Sequence, residues 1–132
     1  MRRFFILHIE DSDADAFLAE RALRAALRAT SPVVLRTSTV REAEALLSRL
    51  KIDAVVLDLR LPDVYSLDES ILRVRRMTDA PILVVSDTHR ATVADSVLQD
   101  QVSLFVHKER LNNVHVAAQA IAPFFQQMQT AA

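Results

Sequence analysis

Short apolar runs alternate with longer amphipathic stretches five times along the chain, and that rhythm constrains the fold more than any other feature. Strands are predicted near Phe4 to Ile9, Val33 to Thr37, Ala54 to Leu57, Ile82 to Val85 and Leu104 to His107, each followed by a helical pattern. Ser12 with Asp15, Thr39 with Glu42, and Ser66 with Glu69 mark helix starts. In each pair a hydroxyl can cap an amide and the acid three residues on can reach back. Strand-helix alternation of this length favours a parallel sheet, because each parallel connection needs a right-handed crossover. The expectation is therefore an α/β chain with a five-stranded parallel sheet and helices on both faces.

Length and composition agree with one domain over residues 1–132. The chain is 51% apolar and 25% charged, ordinary values for a globular protein with a real core. Sixteen basic and seventeen acidic residues leave a formal charge of -1, which argues against bulk electrostatic binding to nucleic acid or anionic membrane. With no cysteine there can be no disulfide, thiol catalysis or cysteine zinc site, and a reducing cytoplasm suits the chain. The apolar start meets Glu10 and Asp11 too soon for a signal-peptide core, and no run approaches membrane-spanning length.

Acids close two of the predicted strands. Asp58 ends Ile52-Asp53-Ala54-Val55-Val56-Leu57-Asp58, and Glu10 and Asp11 end the first strand in the same way. Open α/β sheets bind ligands at these carboxyl ends. In the flavodoxin-like, doubly wound (βα)5 order 2-1-3-4-5, strands one and three are neighbours at the switch point. Three acids would then share one edge, where like charges repel and raise one another's pKa unless a metal ion, a lysine or both compensate. Ser86 closes the fourth strand and Lys108 the fifth, which supplies a hydroxyl and an ammonium to the same crevice.

With Glu10-Asp11, Asp58, Ser86 and Lys108 at the ends of four strands, in order, the chain resembles the receiver domain of bacterial response regulators over essentially its whole length. The strings Val56-Leu57-Asp58-Leu59-Arg60-Leu61-Pro62-Asp63 and Pro81-Ile82-Leu83-Val84-Val85-Ser86 are similar to that family's third and fourth strands with their turns. The resemblance implies a non-enzymatic signalling domain of two-component phosphorelays. Asp58 would accept a phosphoryl group from a sensor histidine kinase or a histidine phosphotransfer protein, and an unknown protein target would read the result. It implies Mg2+ (or Mn2+) held by Glu10 through a water, by Asp11 and Asp58 directly, and by the backbone carbonyl of Arg60. Lys108 would pair with a phosphoryl oxygen, Ser86 would move towards another, and Phe105 would follow as the aromatic switch. Arg60, Asp87 and Thr88 would neighbour the phosphoryl group. A target would meet the fourth and fifth helices and fifth strand, with no output domain, no direct nucleic-acid contact and no membrane insertion. A phosphate sink for a shared kinase and a phosphorylation-independent pseudo-receiver are the alternatives.

Taken singly, these residues have plainer explanations. An acid after a strand often caps a turn, a serine there forms one, Lys108 would be a solvated charge and Phe105 core. His8, His89, His107 and His115 lack metal-ligand spacing. Arg21, Arg24 and Arg28 read as a solvated face of the first helix before they read as a docking stripe.

The chain also departs from the family. It has no glycine, so Val64-Tyr65-Ser66 and Gln101-Val102 stand where glycine is usual, and any positive φ there would carry a side-chain penalty. Glu109 replaces the proline that commonly follows the lysine, and Asp87 replaces a small residue after Ser86. Pro123 should kink or end the last helix, and Phe124 and Phe125 should cover the core or meet a partner.

Overall fold

The computed structural model describes residues 3–28, 30–87 and 100–130. The predicted helix after the fourth strand, with Thr88 and His89, lies outside them. Five parallel strands, β1 (Phe5–Ile9), β2 (Val33–Thr37), β3 (Ala54–Leu57), β4 (Ile82–Ser86) and β5 (Leu104–His107), form one sheet in the order 2-1-3-4-5. Helices α1 (Asp13–Ala26), α2 (Val40–Leu47) and α3 (Leu67–Met77), and a C-terminal helix (Val114–Thr130), cover it.

Strands buried on both faces explain the unbroken apolar runs in the sequence. Leu7, Ile9, Val55, Leu57, Ile82 and Val84 point to the side packed by α2 and α3. Ile6, Ala54, Val56, Leu83, Val85 and Val106 point to the side packed by α1 and the C-terminal helix. The period of two thus divides one hydrophobic run between two cores.

Helix starts follow the sequence signals in part. The Ser12 hydroxyl accepts from the Asp15 amide at 3.2 Å and that of Thr39 from the Glu42 amide at 3.0 Å. Ser66 makes no side-chain cap; Glu69 instead takes the Tyr65 amide at 2.9 Å, one residue further back than expected. Asp63 adds a cap that the pattern did not reveal, accepting the Val40 and Arg41 amides at 3.0 and 2.9 Å, and these bonds hold its pKa below the usual value despite partial burial.

One expectation about the backbone is corrected. The last helix runs through Pro123 to Thr130, so of the kink or end that the sequence suggests, the end does not occur. Proline removes one donor, but both Pro123 and Gln119, whose carbonyl loses it, are exposed, so water can replace the bond. Beyond it Phe124 and Phe125 are buried edge-to-face at 5.0 Å, with Phe125 also against Phe4 at 5.9 Å, so they cover the core. Among the described residues none has positive φ and no peptide bond is cis, so Val64-Tyr65-Ser66 and Gln101-Val102 carry no left-handed penalty.

Candidate functional site

Parallel register assembles the site. Ile9 of β1 pairs with Leu57 of β3, and one residue on the Asp58 amide donates to the Ile9 carbonyl at 3.0 Å, which brings Asp58 beside Glu10. Ser86 pairs with His107, so Lys108 leaves β5 next to the end of β4. Four strand ends therefore converge, as the switch-point argument requires.

Glu10, Asp58, Ser86 and Lys108 are buried, while Asp11 is exposed at the rim. The ammonium of Lys108 contacts Glu10 Oε1 at 2.8 Å, Asp15 Oδ2 at 2.8 Å and Asp58 Oδ2 at 3.2 Å. The other Asp58 oxygen, Oδ1, accepts from the Ser86 hydroxyl at 3.1 Å and the Arg60 amide at 3.2 Å. Glu10 also accepts the Ser12 amide at 3.1 Å.

Charge follows from this crowding. Burial, with the neighbouring Asp58 charge adding to it, pushes Glu10 up to about 7 against the lowering effect of its bonds to Lys108 and the Ser12 amide. Burial alone would lower Lys108, but its bonds to Asp15 and Glu10 and the charge of Asp58 outweigh that and raise it. His8, beside Arg36 and within the field of Lys108, is pushed down to about 4, chiefly by burial.

The donor set suits a hard cation. One carboxylate oxygen each from Glu10, Asp11 and Asp58 lie within 4.8 Å of one another. All three are oxygen donors with no imidazole or thiolate among them, which is the chemistry of Mg2+, Mn2+ or Ca2+ rather than zinc. Arg60 lies in the same turn, its amide already committed to Asp58. A pocket of about 350 Å3, lined by Asp11, Leu59, Arg60, Leu61, Pro62 and Tyr65 among others, opens alongside.

Solved structures carry the same architecture over nearly the whole chain. A CheY-like response regulator receiver domain from Methylobacillus flagellatus superposes with a TM-score of 0.73 at 18% identity, covering 96% of this chain and 99% of the other. The chain has the receiver-domain fold. Two further structures with this fold are the Mn2+-bound form of response regulator Rcp1 and the phosphorylated cyanobacterial phytochrome response regulator RcpA. The first has a TM-score of 0.75 at 22% identity, covering 92% of this chain and 94% of the other. The second has a TM-score of 0.76 at 19% identity, covering 99% and 97%. No protein-family model matches the chain, and no curated protein matches it.

Within the receiver fold the remaining expected residues separate. Phe105 is half-buried on β5 and packs against the α2 and α3 core. Asp87 is exposed, and its carbonyl is bonded to His107 Nε2 at 2.9 Å. The exposed arginines of α1 include Arg24, which pairs with Glu20 at 3.4 Å, and Arg21, which lies over the Phe17 ring at 5.8 Å. Two residues near the site were not read from sequence. Asp15 reads in the sequence only as a helix-start acid, yet its carboxylate reaches across to Lys108. His107 had no assigned role, yet its ring spans two loops, with Nδ1 accepting the Glu109 amide at 3.2 Å. An acid one helical turn beyond Asp11 was the available signal for the first; no sequence spacing announced the second.

Proposed function

We propose that this chain is a phosphoacceptor of two-component signalling that works in the cytoplasm. Asp58 takes a phosphoryl group from a phosphohistidine on a kinase or phosphotransfer protein. The observation carrying this reading is the environment of Asp58: a buried carboxylate with one oxygen bonded to a hydroxyl and an amide, and the other to an ammonium.

An Asp58 oxygen forms the new O–P bond as the N–P bond of the donor breaks and the imidazole keeps the electron pair. Asp58 bonded to an ammonium is a ready nucleophile, so no general base is required; positioning and charge stabilisation carry such transfers. Glu10, Asp11, Asp58 and the Arg60 carbonyl would hold a divalent cation, which when bound would offset the charge of the phosphoryl oxygens. Lys108 can release Asp58 and turn to a phosphoryl oxygen. Ser86, bonded to the same carboxylate, can turn to another, and its displacement at the end of β4 would open space towards Phe105 on the neighbouring strand. The altered surface would be read by a protein partner.

The test is to incubate the protein with Mg2+ and acetyl phosphate or a phosphorylated kinase, then map an alkali-labile acyl phosphate. Asp58→Asn keeps the side-chain size but loses the nucleophilic oxygen, so labelling should vanish while the circular dichroism spectrum stays. Undiminished labelling of the same peptide would refute the assignment. A parent protein that takes no phosphoryl group from either donor would point instead to a phosphorylation-independent interaction domain.

A further inference from the structure

We infer that Asp15 is a positioning residue for Lys108, anchoring the ammonium from α1 while its remaining bonds exchange between Asp58 and a phosphoryl oxygen. The inference rests on the phosphoacceptor reading of Asp58. An ammonium has three N–H donors, and here three carboxylates take them, Glu10 and Asp15 at 2.8 Å and Asp58 at 3.2 Å. Two of these partners change duty when the site works. Asp58 becomes the phosphoryl carrier, and Glu10 lies in the carboxylate group suited to the cation. Asp15 does neither. It stands outside that group on the first turn of α1, where its own amide is fixed by the Ser12 hydroxyl at 3.2 Å.

The backbone around Lys108 explains the need. Its stem is flexible and opens a 3-10 turn (Lys108–Asn112), no cis peptide constrains its exit, and the next residue is Glu109. Side-chain anchoring from α1 can supply the orientation that the local backbone does not. With the Asp15 bond kept, the ammonium pivots between acceptors instead of swinging into solvent.

The test compares the parent with Asp15→Asn, which removes the charge but leaves the backbone amide that Ser12 caps. Two readouts are used: the initial phosphorylation rate with acetyl phosphate at saturating Mg2+, and the 15N resonance of the Lys108 ammonium. Asp15→Asn should slow phosphorylation about fivefold. The ammonium resonance, sheltered in the parent, should broaden as its protons exchange with water. In a Lys108→Ala background the same substitution should change the residual rate by less than about 1.5-fold, because an effect routed through Lys108 vanishes with it. A rate within twofold of the parent with an unchanged resonance would overturn the inference, as would an equal loss in the Lys108→Ala background. If the parent accepts no phosphoryl group, the phosphoacceptor reading fails by itself. The resonance then decides for Asp15, its loss in Asp15→Asn supporting the anchor and its persistence refuting it.

Discussion

The two ends of the sheet solve opposite problems. At the amino end polar groups are matched. The Asp53 carboxylate takes the Phe5 amide at 2.8 Å, and the Arg75 guanidinium donates to the carbonyls of Thr78 and Ala80 at 3.0 and 2.9 Å and to that of Gln101 at 2.9 Å. One side chain thereby ties the loop before β4 to the turn before β5. At the carboxyl end Glu10, Asp15 and Asp58 gather around a single ammonium, and the Asp11 carboxylate lies within 4.8 Å of those of Glu10 and Asp58. The excess negative charge there is a cost to the isolated fold and an invitation to a cation. The proposed chemistry is thus placed at the end of the sheet where the fold crowds negative charge.

The sharpest break of this contrast is Asp11→Ala. Loss of a direct ligand should weaken Mg2+ binding by about two orders of magnitude, measured by calorimetry, with little change in metal-free stability. Unchanged affinity would put the cation elsewhere. Arg75→Ala should do the reverse. Three carbonyls lose a charged donor, so urea unfolding should show a loss of about 3 kcal/mol while Mg2+ affinity is retained.

A pH series in EDTA resolves two buried groups that pull in opposite directions. His8 is lowered from 6.5 to about 4, so its contribution is present above pH 6.5 and is lost as pH falls towards 4. Glu10 is raised from 4.5 to about 7, so its contribution is present below pH 4.5 and is lost as pH rises through 7. In the parent the two slopes largely cancel. His8→Leu leaves the slope of Glu10 alone, so its stability should fall from pH 4.5 to 7, changing the difference from the parent by roughly 2 kcal/mol. Parallel curves would show that burial does not depress His8. The smallest effect is expected at the exposed Asp87, just beyond Ser86. Removing a like charge near the phosphoryl position by Asp87→Ala should raise the initial phosphorylation rate severalfold at low salt, about 1 kcal/mol, and less at high salt. A change below about twofold at low salt would place Asp87 outside that field.

Sheet order and the convergence of Glu10, Asp11, Asp58, Ser86 and Lys108 were legible because strand periodicity and chain order fix which ends meet. Asp15 was not, since a helix-start acid and a salt-bridge partner look the same until the helix is docked. His107 was hidden for a similar reason, its two bonds depending on where the loops after β4 and β5 lie. Pro123 misled because propensity describes a helix in isolation, whereas Phe124 and Phe125 hold this one down by burial.

The absence of positive φ among the described residues, in a chain of 132 residues with no glycine, has its main consequence in the denatured ensemble. Average usage would place about nine glycines in such a chain, and replacing each at a compatible position narrows the conformations available before folding, by about 0.4 to 1 kcal/mol apiece. The unfolded polymer is stiffer than that of an ordinary domain of this size and loses less entropy on collapse. Part of what sustains a charge-crowded site is thus stored where no native contact records it.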